Sequence, residues 1–105
     1  MLFHAKIEVN LPTDLEPEKQ KQLVTAERER ALELQRSGSW VHLWRIAGER
    51  GNISIFDVAS ADELNDLLWS LPLFPYMSIV VTALAQHPSA LTPSTAPAST
   101  LGQNQ

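Results

Sequence analysis

Phe3, Ala5, Ile7 and Val9 alternate with His4, Lys6 and Glu8, the period-two pattern of a strand with one buried face. A turn, Leu11-Pro12-Thr13-Asp14, follows. From Leu15 to Arg36 there is no glycine and one early proline, so a long helix is predicted. Asp14 is its expected N-cap and Pro17 lies in its first turn. Its apolar stripe is thin: Leu23, Ala26, Ala31 and Leu34, with Glu27 and Arg30 inside it. Gly38 is the stop signal. Ser39 to Ala47 and Asn52 to Val58 read as two strands joined by the turn Gly48-Glu49-Arg50-Gly51. If the two glycines face each other, Arg45 lies opposite Ser54, Leu43 opposite Phe56, Trp44 opposite Ile55, and Ile46 opposite Ile53. Ser60 with Glu63 forms a capping box for a second helix over Ala61–Leu71, with Leu64, Leu67, Leu68 and Leu71 at helical spacing. A proline-bracketed loop, Leu71 to Tyr76, leads into a last strand from Met77 to Ala85.

The order βαββαβ predicts an α+β fold: a ferredoxin-like sandwich with a four-stranded antiparallel sheet and two helices on one face. Residues 1–87 form that domain. Residues 88–105, rich in Pro, Ser, Thr and Ala and without a charged side chain, are expected to be a flexible tail. One pattern does not suit a monomer. The second strand is apolar on both sides, Val41 and Leu43 against Trp40, Trp44 and Ile46. The fourth repeats this, Met77, Ile79 and Val81 against Val80 and Leu84. A sheet covered on one side alternates with polar residues. The second face is therefore expected to be buried by another subunit, the alternative being apolar side chains scattered over an ordinary surface.

The 105 residues suffice for one domain. A net charge of −4 argues against nucleic acid as a partner. No apolar run approaches the ~20 residues of a membrane span, and His4, Lys6 and Glu8 would interrupt a signal core, so a cytoplasmic protein is expected. There is no cysteine, which removes disulfides and thiolate chemistry. The three histidines, His4, His42 and His87, are not at metal-ligand spacing, and no phosphate-binding or hydrolase motif is present.

Two residues remain as candidates for chemistry. Leu23, Glu27, Ala31 and Leu34 share one helical stripe, so the Glu27 carboxylate is aimed at the sheet. Burial there raises its pKa and makes it a proton acceptor near neutral pH. The alternative is a helix-edge glutamate paired with Arg30 or Arg45. Arg45 sits in the middle of an apolar strand and can hold a carboxylate bidentately. Its alternative is a salt bridge to Glu27 or to another subunit.

The stretches Met1-Leu2-Phe3-His4, Trp40-Val41-His42-Leu43-Trp44-Arg45-Ile46-Ala47-Gly48, Ser54-Ile55-Phe56-Asp57-Val58, Leu71-Pro72-Leu73-Phe74-Pro75-Tyr76-Met77 and His87-Pro88-Ser89 closely resemble the muconolactone isomerase family of the 3-oxoadipate (β-ketoadipate) pathway of catechol degradation. The resemblance covers about residues 1–89. It implies a ferredoxin-like subunit in a large homo-oligomer, a decamer in the family, with no cofactor and no metal. It implies isomerisation of (+)-muconolactone to 3-oxoadipate enol-lactone. A related branch dehalogenates chloromuconolactones. For the isomerisation Glu27 is the candidate proton shuttle and Arg45 the candidate anchor for the free carboxylate. Tyr76, Ser78, Asn52 and His42 are candidate hydrogen-bond donors to the substrate. Outside the family, a non-catalytic ferredoxin-like module that binds small molecules is the main alternative. A cofactor-free ring monooxygenase is a weaker one, because no oxygen-reactive constellation is visible.

Overall fold

The computed structural model describes residues 1–91; residues 92–105, most of the expected tail, lie outside the described residues. Four strands, β1 (Leu2–Val9), β2 (Trp40–Arg45), β3 (Asn52–Asp57) and β4 (Met77–Leu84), form one antiparallel sheet in the order β2-β3-β1-β4. Helices α1 (Pro17–Arg36) and α2 (Ala61–Trp69) supply the crossovers. This is the expected ferredoxin-like α+β sandwich.

The strand pairing sorts side chains by face. Phe3 lies beside Phe56, Ala5 beside Ser54 and Val81, Ile7 beside Asn52 and Ile79. Both helices cover this inner face. Ala31 and Leu34 from α1 and Leu64, Leu67 and Leu68 from α2 join Phe3, Ala5, Ile7 and Phe56 in one buried cluster. Each of the Leu, Ile and Phe side chains among them contributes about 1.5–3 kcal/mol on burial. The half-buried residues of α1 are Leu23, Ala26, Glu27 and Arg30, so its thin stripe does face the sheet with the glutamate and arginine inside it.

Three local expectations are corrected. Helix α1 is capped by Glu16, without a side-chain hydrogen bond, and not by Asp14. Pro17 at its first position needs no partner for a missing N–H and sets the frame, which leaves Asp14 outside the cap. The hairpin register is displaced by two residues: Arg45 faces Asn52, Leu43 faces Ser54 and Trp44 faces Ile53. The Ile46 N–H donates to Gly51 O (3.1 Å) and the Glu49 N–H to Ile46 O (3.0 Å), so Gly48, at φ 79°, is inside the turn. The left-handed conformation that glycine supplies is used there and not at a strand position opposite Gly51. Gly51 serves instead for close approach, since a Cβ would stand 3.1 Å from Ile7 O.

The third correction concerns Trp40. A bulge between Trp40 and His42 places Trp40, and not Val41 or His42, beside Phe56. Trp40 therefore leaves the face it was expected to share with Trp44 and enters the core, 3% exposed, with its ring 4.9 Å from that of Phe56. Its indole N–H is buried without a partner among the described residues. Helix α2 ends near the start of α1's buried half. The Arg30 guanidinium donates to Ser70 Oγ (3.0 and 3.3 Å) and pairs with Glu33 (2.6 Å), so α1 grips the residue that closes α2. Ser60 and Glu63 form the first half of the predicted box, Ser60 Oγ accepting from Glu63 N (3.1 Å); the Glu63 carboxylate reaches one residue further back and accepts from Ala59 N (2.7 Å) instead of Ser60 N.

Candidate functional site

Helix α1 does not seal the inner face completely. Beyond Leu34 toward its N-terminal half, the stripe is too thin to fill the space above β1, β3 and β2. A cavity of about 330 Å³ remains, floored by Ile7, Val9, Asn52, Leu43 and Trp40, and walled by Val24, Glu27, Arg28, Ala31, Leu32 and Gln35 of α1 and by Leu73 and Met77. It is mostly apolar with a few polar groups, and its size suits a small organic molecule.

Glu27 is the acidic group of this cavity. One carboxylate oxygen, Oε1, accepts a hydrogen bond from the Leu73 N–H at 2.9 Å. That donor is presented by a chain segment stiffened by successive turns: Phe74 N–H to Leu71 O (2.9 Å) and Tyr76 N–H to Leu73 O (2.9 Å), the latter within the short 3-10 helix Phe74–Tyr76. Burial pushes the Glu27 carboxyl above its ordinary value, and the Leu73 hydrogen bond only partly offsets this. The alternative, a pairing with Arg30 or Arg45, is absent: among the described residues the ion pairs are Met1–Asp57 and Arg30–Glu33. A carboxylate held by one backbone amide in an apolar wall, with no cation bonded to it, retains basicity that a salt bridge would quench.

Asn52 shares the cavity. Its Oδ1 accepts from the hydroxyl of fully buried Ser54 (2.7 Å), which orients the amide. The other sequence candidates lie elsewhere. Arg45 is on the inner face beside Asn52, but it ends β2, is exposed, and does not line the cavity; its Nη1 donates to Arg50 O at 2.6 Å. His42 lies opposite Ile55 and Ser78 opposite Glu8, which puts both on the outer face, away from the helices. His42 stacks on Trp44 there, ring centres 4.6 Å apart. Tyr76 is half-buried beyond the cavity wall, where its carbonyl accepts from the Asn10 N–H (2.8 Å). Among the described residues no group of three or more His, Cys, Asp or Glu side chains could hold a metal ion.

Two contributors to the cavity escape sequence reasoning, and a third, Arg28, goes unnamed there although the sequence carries a signal for it. The Leu73 N–H is a backbone group 46 positions away from Glu27, for which no residue type is a marker. Trp40 reaches the cavity only because of the bulge. Arg28 was legible: Val24, Arg28 and Leu32 form an i, i+4, i+8 row next to the Glu27 stripe.

Comparison with known proteins follows the same lines. The family model described as muconolactone delta-isomerase matches residues 1–90. A muconolactone delta-isomerase of Pseudomonas putida is 55% identical over 91 residues, 87% of this chain and 95% of that protein. One of Rhodococcus opacus is 51% identical over 88 residues, 84% of this chain and 95% of that protein. A crystal structure of muconolactone isomerase superposes with a TM-score of 0.84 at 53% identity, covering 90% of this chain and 98% of the other. These matches lend no support to the dehalogenase or to the non-catalytic module.

Proposed function

Because the chain belongs to the muconolactone delta-isomerase family, we propose that Glu27 is the proton shuttle of its reaction and that the cavity beneath α1 is where the lactone binds. The protein is an isomerase that moves the C=C bond of (+)-muconolactone to give 3-oxoadipate enol-lactone. A proton leaves the ring carbon that bears the carboxymethyl arm, and one is added next to the lactone carbonyl. The departing proton is acidified through the alkene by that carbonyl, so a single carboxylate of raised basicity can remove and return it. The observation that carries this reading is the Glu27 carboxylate itself, half-buried in the apolar wall and bonded, among the described residues, to the Leu73 N–H alone. The dienolate oxygen that develops needs a donor. Asn52 suits it, because the Ser54 hydroxyl occupies its Oδ1 and leaves the amide N–H groups for a ligand.

The working form is proposed to be a cytoplasmic homo-oligomer, a decamer by family resemblance, needing no metal or cofactor. Trp44 and Val80, 54% and 66% exposed, lie in one row across the outer face with Ile53 and Lys6 between them, which supports a covered sheet. His42 and Ser78 belong to that face, so their part is at a contact between subunits. Among the described residues no helix is long and apolar enough to cross a membrane. The test is a spectrophotometric assay with (+)-muconolactone and 5-chloromuconolactone side by side. Isomerisation of the unsubstituted lactone is expected; folded protein that leaves it unchanged overturns the reading.

A further inference from the structure

The substrate of the proposed site is an anion, and its charge sits close to the reacting atom: the carboxylate carbon of the carboxymethyl arm is two bonds from the carbon that loses its proton. Whatever holds that carboxylate must stand beside the base. Among the described residues lining the cavity, one is cationic, and it is Arg28, next to Glu27 on α1. The row Val24, Arg28, Leu32 forms the exposed lip of the cavity, whereas Glu27 and Ala31 lie further in. Arg28 enters neither of the described ion pairs and donates none of the described side-chain hydrogen bonds. An arginine between two apolar residues at a cavity mouth lays its methylene stem along the wall and keeps its fork of N–H donors at the rim. Arg45, by contrast, is outside the lining, and one of its terminal nitrogens is already committed to the Arg50 carbonyl.

We propose that Arg28 is the residue that binds the carboxylate of the substrate's carboxymethyl arm. The lactone ring enters the apolar interior over Ile7, Leu43 and Trp40, and the arm stays at the lip, where the guanidinium takes it as a bidentate pair. The charged arm is then never desolvated deeply, and its fixed position sets the hydrogen on the neighbouring carbon toward Glu27. This selects lactones that carry a carboxylate arm over neutral lactones of the same ring. The inference rests on the cavity being the lactone site, but not on Glu27 being the base.

The experiment measures KM and kcat of wild type, Arg28→Gln, Arg28→Lys and Arg45→Gln on (+)-muconolactone and on its methyl ester. Arg28 is exposed and glutamine has similar helix propensity, so the variants should fold. Arg28→Gln should raise KM for the acid about 10- to 100-fold, the loss expected for a charge-assisted pair, with a smaller effect on kcat. The ester should be almost unaffected, so the preference for acid over ester collapses; Arg28→Lys should restore part of it. An Arg28→Gln enzyme that keeps its acid KM within about twofold and its acid preference overturns the proposal. So does a collapse of that preference in Arg45→Gln but not in Arg28→Gln. Failure of Glu27 as the base would show separately, as an undiminished kcat in Glu27→Gln with the acid preference unchanged.

Discussion

Glu27→Gln should lower kcat by about 10²–10⁴, the usual worth of a positioned general acid–base group. Glutamine keeps the shape of the side chain and an oxygen to accept from the Leu73 N–H, so the wall of the cavity is preserved while the base is removed. The same substitution should not weaken the fold. The Glu27 pKa is higher folded than unfolded, so between the two values the folded state binds more protons than the unfolded chain. Stability from this group is therefore present at low pH and declines as pH rises from the ordinary glutamate value through the raised one. Above the raised value the wild type carries an ionised carboxylate in a place that disfavours it. Thermal melts should find Glu27→Gln at least as stable as wild type at pH 7, with the difference shrinking below the ordinary glutamate pKa. A variant that loses activity only because it has lost stability would contradict the assignment.

Trp44→Glu combined with Val80→Lys should break the assembly. Both side chains point away from the helices, in the row Trp44–Ile53–Lys6–Val80 across β2, β3, β1 and β4. A charge in the middle of an apolar contact commonly costs about 2 kcal/mol or more, and a two-fold contact meets each substitution twice. Wild type should show a mass by light scattering that is a multiple of 11.7 kDa, and the double variant a smaller multiple. A wild-type particle of 11.7 kDa at micromolar concentration would end the proposal of an oligomer.

Strand alternation and the helical stripe made most of the architecture legible. Phe3, Ala5, Ile7 and Val9 need one face, Leu64, Leu67 and Leu68 need one side of a helix, and the order of elements then leaves few ways to bury both. The position of Glu27 followed from the same stripe, since its neighbours Ala31 and Leu34 are among the buried residues of α1. What the pattern could not carry is register. Two glycines near a turn do not reveal which of them takes the left-handed conformation, and here Gly48 takes it, which moves Arg45 from Ser54 to Asn52. A bulge is equally silent: Trp40 and Trp44 sit four apart in one strand, yet one is in the core and the other is exposed. Tertiary partners are the remaining gap. The hydrogen bond from Leu73 to Glu27 and the engagement of Arg45 by the Arg50 carbonyl depend on where the backbone passes, not on residue type.

The pH dependence of kcat/KM tests the central claim most directly, because it reports the ionisation of the free enzyme's essential base. With Glu27 as the shuttle, the rate constant should fall on the acid side with a midpoint above the ordinary glutamate value of 4.5, in the direction that burial in the apolar wall dictates. The residual activity of Glu27→Gln should lack that limb. An acid limb of the same midpoint in both enzymes, or a wild-type midpoint at or below 4.5, would place the base elsewhere.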